Sequence, residues 1–442
     1  MTEILMSIQV VKTFVGILAS TVLLAQAPVT VIRGAKIYPL DGPVIENGIL
    51  IIEGSKVKAL GANLPIPQNA KIIEAKGFEI VPGYINIGSQ VGISEIGSIS
   101  ATQDANELGS FLPQIYTATA VHAASEHIGV TRTEGITMGG ALPGIRSSTR
   151  GFGGGGPVIS GHASISQFDG WTGEQLVYRK AAGLVINWPE ATTSTFDIAT
   201  MSRRNRPFNE VKAEVDKNIA AIQDWFDKGR HYASLKANNL ITTKNRDLKL
   251  EGMIDVVEGR EPVLIFADSP SEIKSAVEFS LKNNLKMVLL GAYEADKVKD
   301  LLKKNDIPVV LGPTWSLPPN EDAPYDYSMK MPSVLFNAGI RTAIASFGEE
   351  FARRLPQQAG TAVAYGLPKE EALKMISKNP AEMFGLNEVG TLAPGKAANF
   401  VIFEGDSLEP RTKVNAVYIQ GQSISLENKQ NKLYERYLNR LK

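Results

Sequence analysis

The stretch Val81-Pro82-Gly83-Tyr84-Ile85-Asn86-Ile87-Gly88-Ser89-Gln90-Val91-Gly92 decides the fold. Pro-Gly is a sharp turn, and residues 84–87 form a short apolar run rich in strand formers. Small and polar residues follow at the end of that strand. Outward from it, short apolar runs recur at 136–138, 157–160, 184–187, 263–266, 287–290, 309–311 and 343–345. Between them lie helical stretches. Residues 209–227 carry Val211, Val215, Ile219, Ile222 and Phe226 in steps of three and four, an amphipathic helix. A second helix is expected over 271–281 with Ser271 as its N-cap, and a third over 295–303. Apolar strands that do not alternate, separated by helices, predict a parallel sheet covered on both faces. Their number is that of a (β/α)₈ TIM-type barrel in an α/β chain.

The opening stretch resembles the signature of the metal-dependent amidohydrolase superfamily. The family pattern is Pro-Gly, two apolar residues, Asp, one small residue, then His-x-His, whose histidines are metal ligands at the end of the first barrel strand. This chain keeps Pro82, Gly83, Tyr84, Ile85 and Gly92. Gly88 and Gln90 stand in place of the histidines and Asn86 in place of the Asp. Glycine offers no side-chain ligand, and a neutral amide is a poor ligand for zinc. The segments 130–137, 168–172, 185–189, 322–326 and 379–382 resemble one branch of that superfamily, the secreted bacterial imidazolonepropionase-like proteins.

The two chain ends also read as strands: 29–32, 48–52 and 71–73 at one end, 398–403 and 414–419 at the other. The resemblance implies that they form one small β-sandwich beside the barrel. The expected organisation is a signal peptide over 1–27, a composite β-sandwich from 28–80 and 386–426, a barrel over 81–385 and a C-terminal helix over 427–442. Leu433, Tyr437 and Leu441 recur every four residues in that last segment, the pattern of a docked amphipathic helix.

Barrel enzymes work at the C-terminal ends of their strands, so the residues that follow each strand are the candidates for chemistry. By the resemblance, Phe266 and Gly291 occupy the positions of the next pair of histidines, and Gly348 that of the catalytic Asp. No lysine ends 184–187 to serve as a carbamylated bridge. Metal ligands are therefore expected to be absent, and no cofactor is predicted, although zinc or another divalent metal is the family norm. The candidate mouth or ligand-binding residues are Gln90, Arg146, His162, Asn187, Asp268 and Glu349. His162 follows the run 157–160 and is expected at the mouth; the alternative is a hydrogen-bonded structural histidine. His122 and His127 are five apart, a poor spacing for a shared helix face, and His231, beside Arg230, is expected between helices at the surface. The Gly-rich stretch 151–156 lacks Gly-Lys-Ser/Thr and precedes a strand, so it fails the nucleotide-binding motifs. It is expected to be a mouth loop flanked by Arg146 and Arg150.

Composition is that of a globular protein: 442 residues, 43% hydrophobic and 21% charged. Lys plus Arg and Asp plus Glu are 46 each, so no net charge draws the chain to nucleic acid. No cysteine is present, which excludes disulfides and thiolate metal sites. Residues 13–25 are uncharged and apolar or small, Lys12 precedes them, and Ala25-Gln26-Ala27 is a small-x-small cleavage pattern. That pattern predicts a cleaved secretory signal peptide, and with it a periplasmic or secreted protein; a single membrane anchor is the alternative. The expected function is an amidohydrolase-family barrel, of the hydrolase class acting on non-peptide C–N bonds by resemblance, with its metal site lost. Such a barrel would bind a small-molecule ligand or an active amidohydrolase paralogue, and a homo-oligomer is possible. The alternatives are an active hydrolase with a relocated, metal-independent site and a structural partner of an active paralogue.

Overall fold

The computed structural model describes residues 28–145, 156–197 and 201–440. The proposed signal peptide, Arg146, Arg150 and most of the Gly-rich stretch lie outside the described residues.

Five strands come first: β1 (Val29–Ile37), β2 (Ile45–Glu53), β3 (Lys56–Gly61), β4 (Lys71–Glu74) and β5 (Glu79–Pro82). The Pro82-Gly83 turn then leads into β6 (Tyr84–Ser89). Next are β7 (Ile136–Ala141), β8 (Ile159–Gln167) and β9 (Val177–Asn187), and a hairpin of β10 (Ser194–Asp197) and β11 (Ser202–Asn205). They are followed by β12 (Val263–Ala267), β13 (Met287–Gly291), β14 (Val309–Leu311) and β15 (Thr342–Ile344). The last strands are β16 (Phe400–Phe403), β17 (Val414–Ile419) and β18 (Gln422–Ile424). The main helices are Phe208–Ala237, Leu248–Val257, Pro270–Lys282, Tyr327–Asn337 and Leu355–Ala364.

One eight-stranded sheet runs in the order β15-β14-β13-β12-β9-β8-β7-β6. Its two edges meet where the Phe347 N–H donates to Gly88 O at 2.8 Å, which nearly closes the sheet into a barrel. Alternation along each strand sorts side chains into two shells. Ile85, Ile87, Met138, Val185, Leu264, Val288, Leu290 and Val310 pack together inside. Leu184, Ile186, Val263, Ile265, Leu289 and Val309 pack outward against Ile222, Phe226, Ile273 and Val277 of the covering helices. Each such side chain taken fully out of water stabilises the fold by about 1.5–3 kcal/mol.

The strands are not all parallel. β8 pairs antiparallel with β7, with Ala141 opposite Ser164 and Met138 opposite Gln167. It also pairs antiparallel with β9, with Ile159 opposite Ile186. β8 therefore enters at the mouth and runs away from it. Hydrophobic periodicity says which residues are in a strand, but not which way the strand points.

Both chain ends share a second sheet, ordered β18-β17-β16-β5-β1-β2-β3, with β4 on β1. The join is β5 with β16, antiparallel, Val81 opposite Val401. Two expectations about helices change. The helix expected from 271 begins at Pro270, and its N-cap is Ser269, whose Oγ accepts from the Glu272 N–H. The C-terminal helix Lys429–Leu438 buries no residue, and Leu433, Tyr434, Tyr437 and Leu438 are exposed, so it is not docked by that face. Among the described residues no helix is long and apolar enough to cross a membrane.

Candidate functional site at the barrel mouth

The mouth is built where β6, β12, β13 and β15 end. Asn86, fully buried, ties the closing edges together. Its Nδ2 donates to Ser346 Oγ at 2.9 Å, and its Oδ1 accepts from the Ser346 N–H at 3.3 Å. Ser346 Oγ in turn donates to Gly348 O at 2.8 Å. Ser89 Oγ donates to Gly140 O at 2.9 Å, fixing β6 to β7.

Inside this frame stand two aromatic rings. Phe266, the fourth residue of β12, and Phe347, three residues beyond β15, meet edge to face with centroids 5.4 Å apart. Both are buried. Phe347 has a φ of 51°, in the left-handed region that non-glycine residues rarely adopt. A Cβ added at Gly88 would lie 2.9 Å from both Ala345 Cβ and Phe347 Cε1. A Cβ at Gly291 would lie 2.6 Å from Asp268 Oδ1 and 3.0 Å from Phe266 Cζ, on a backbone with φ of 80°. At these positions the chain offers no imidazole or carboxylate side chain. Two of the expected ligand positions have no room for a side chain, and a third is one of the rings that fills the space. Among the described residues no three His, Asp or Glu side chains gather in a group able to hold a metal ion.

The candidate residues separate into three sets. Gln90 and Glu349 are neighbours through the loop after β6. Gln90, half-buried, accepts the Ser94 N–H on its backbone oxygen at 3.1 Å, and Ser94 Oγ donates to Glu349 Oε1 at 3.1 Å. Asp268 stands past β12, its Oδ1 accepting the Tyr293 N–H at 3.2 Å. Asn187 is buried at the end of β9 and holds the loop beyond β7, with Nδ2 donating to Gly144 O at 2.7 Å and Pro157 O at 2.8 Å.

His162 is not at the mouth. Because β8 runs backwards, it sits opposite Leu184 and near the start of β12, on the outer face of the sheet. It is fully buried. Nδ1 lies 2.8 Å from Glu261 Oε1 and Nε2 2.8 Å from Pro113 O, and its ring stacks on Tyr116 at 4.2 Å. Both ring nitrogens thus lie within hydrogen-bond distance of oxygen atoms. His162 is the hydrogen-bonded structural histidine of the alternative. His122 lies ahead of the helix Glu126–Arg132 and is exposed, while His127 Nε2 contacts Glu95 O at 2.8 Å. His231 is exposed, as expected, but lies within the helix Phe208–Ala237 and not between helices, because that helix continues past residue 227.

A polar aromatic group was not foreseen from the sequence. Tyr327 donates its hydroxyl to Asp296 and meets Tyr293 edge to face at 6.2 Å. Burial, and then the Asp296 carboxylate, hold the Tyr327 phenol far above its ordinary range. Its residues come from two different strand-to-helix connections, and no local spacing announces their meeting.

Residues 334–424 match the amidohydrolase family. Over 398 residues the chain is 21% identical to amidohydrolase tasK of Hapsidospora irregularis, covering 83% of this chain and 38% of that one. The chain thus spans well under half the length of that curated relative. Among solved structures it is similar to an amidohydrolase from Thermotoga maritima MSB8, with a TM-score of 0.75, 22% identity and 90% and 99% of the two chains covered. It is also similar to A. niger ochratoxinase, with a TM-score of 0.53, 15% identity and 91% and 98% covered. At these identities the structural likeness is one of fold. Residues 334–424 thus carry the amidohydrolase family match, and the chain shares its fold with a solved amidohydrolase.

Proposed function

We propose that this protein is a metal-free amidohydrolase-fold barrel of the secreted imidazolonepropionase-like branch, one that binds a ligand or an active paralogue at its mouth and does not hydrolyse. The observation that carries this function is the packing at Gly88, where Ala345 and Phe347 occupy the space a ligating side chain would need. A metal-dependent relative lowers the pKa of a bound water and directs it at a carbonyl. Here the side chains at the corresponding positions are two glycines, an amide and a phenyl ring, none of which supports that step. Exposed apolar residues on the connections leaving the mouth ends of the strands, Leu108, Trp315, Leu317, Tyr325 and Phe351, favour a macromolecular partner over a small ligand.

The test is hydrolysis of a panel of small cyclic amides and acyl dipeptides by the purified protein, with and without added divalent metal. No turnover is expected in either arm. Metal-independent hydrolysis abolished by Glu349→Gln would overturn the proposal in favour of a relocated site, since Glu349 is the mouth carboxylate already paired with a hydroxyl. Export rests on residues 13–25 and the Ala25-Gln26-Ala27 pattern, so material outside the cytoplasm is expected to begin near Pro28. N-terminal sequencing decides, and an uncleaved leader in the membrane fraction would contradict it.

A further inference from the structure

The helix Lys429–Leu438 leaves an apolar face uncovered. Asn428 caps its start by accepting the Asn431 N–H at 2.9 Å. That end rests near the helix Glu126–Arg132, since a Cβ added at Gly129 would lie 3.6 Å from Asn428 Cβ. Beyond it the helix buries no residue. Gln430, Leu433, Tyr434 and Tyr437 follow in steps of three and four and share one face, which Leu438 extends. The four apolar side chains are between 37% and 67% exposed.

The charge around that face has one sign. Residues 427–442 carry five basic and two acidic side chains, although the whole chain balances at 46 each. Lys429, Arg436 and Arg440 step around Leu433 at the same spacing, so they line one edge of the face. Lys432 is paired with Glu427 at 3.5 Å, and the Arg440 guanidinium lies 5.0 Å from the Tyr437 ring centroid. Lys429 and Arg436 have no carboxylate partner among the described residues.

An apolar face edged by Lys and Arg, on a helix of low overall hydropathy, is the pattern that lies in the plane of a bilayer surface. Tyrosine suits that boundary, having an apolar body and a polar tip. Trp171, 91% exposed, adds a second such ring on this side, one residue past Gly170, which lines the same flank cavity as Asn428. A protein partner is less well served. The helix has 10 residues. Its face is about 15 Å long and roughly 10 Å wide, far below the about 800 Å² per partner of a stable interface. Reversible binding to a bilayer instead accumulates apolar burial and charge attraction residue by residue.

We propose that this helix docks on an anionic lipid surface. Leu433, Tyr434, Tyr437 and Leu438 enter the headgroup boundary, and Lys429, Arg436 and Arg440 face the lipid phosphates. The docking is independent of the mouth.

The chain has no cysteine, so one introduced cysteine carries a polarity-sensitive NBD label at a chosen point. The full chain is labelled at Gln430→Cys, on the face, or at Glu435→Cys, on the opposite side, both exposed positions. Vesicles are phosphatidylcholine, alone or with an equal part of phosphatidylglycerol. On anionic vesicles the Gln430 label should brighten severalfold and the Glu435 label change little. Each basic residue near an anionic surface is worth about fivefold in binding. Arg436→Gln with Arg440→Gln should therefore weaken binding about 25-fold, and neutral vesicles should bind about a hundredfold more weakly. Salt at about 1 M, where screening acts within about 3 Å, should release the helix. A leader anchored elsewhere in the bilayer brightens neither label, because each reports its own surroundings. An unchanged Gln430 label on anionic vesicles, equal responses from both labels, or equal binding to neutral vesicles overturns the proposal. Brightening without lipid that grows with protein concentration shows a second copy on the face, and also overturns it.

Discussion

Adding one methyl group at Gly88 tests the packing on which the proposed loss of the metal site rests. Gly88 does not have a positive φ, so the cost of Gly88→Ala is steric and not conformational. The new Cβ would fall 2.9 Å from Ala345 Cβ and Phe347 Cε1 and 3.2 Å from Phe347 Cδ1. Ala345 belongs to the strand frame and cannot retreat, and Phe347 is held by Phe266 at 5.4 Å. Overpacking of a filled core costs about 1–3 kcal/mol. Phe347→Ala alone should cost about 3–5 kcal/mol through the cavity it leaves. In that background much of the clash at Gly88 disappears, so the double variant should be more stable than the sum by about 1–2 kcal/mol. Urea denaturation monitored at equilibrium, with the m-value checked for constancy, gives all four corners of the cycle. Additivity within about 0.5 kcal/mol, or a neutral Gly88→Ala, would refute the claim that Phe347 occupies the space above Gly88.

Other perturbations probe the frame. His162→Ala strands the buried Glu261 carboxylate and removes a donor from Pro113 O, so a loss of about 3–5 kcal/mol is expected in denaturant melts, with ligand or partner binding at the mouth unchanged in protein that still folds. Burial, and then Glu79, raise the Tyr38 phenol to about 12, so the native state holds that proton more tightly than the unfolded chain does. Its contribution is complete below pH 10.0 and is lost as pH rises toward about 12. Tyr38→Phe should flatten the alkaline fall in stability, and an unchanged slope would contradict the assignment. Deleting everything after Pro394 removes β16 from β5 and uncovers Val81, Ile80 and the sheet edge. The truncated chain should be insoluble or melt far lower, and one that melts as the full chain does would refute a shared sheet.

Much of the architecture was legible in the sequence. The eight barrel runs were visible because buried strands are apolar on both faces, and both chain ends showed strands between turn residues. The reversed direction of β8 was not legible, since composition has no polarity along the chain, and that reversal carried His162 from the mouth to the outer face. The helix start at Ser269 had a local signal that was passed over: Pro270 at the first helical position and Glu272 three residues after the cap. Phe266 was readable as an aromatic where a ligand was expected. Phe347 was not, because its place depends on a left-handed backbone after β15 that the surrounding barrel imposes. The C-terminal helix shows a limit of periodicity: the stripe of Leu433 and Tyr437 predicts an apolar face but not what lies against it.

The central claim is that the positions which would ligate metal are closed by packing, and metal content tests it most directly. Purified full-length protein, loaded with zinc, nickel, manganese or iron and then dialysed, should retain far less than one equivalent by elemental analysis. The same should hold for Gly88→His with Gln90→His, because the first imidazole has no room beside Ala345 and Phe347 and two ligands fall short of the about three that a catalytic zinc site needs. One or more equivalents held by the unmodified protein after dialysis would contradict the account.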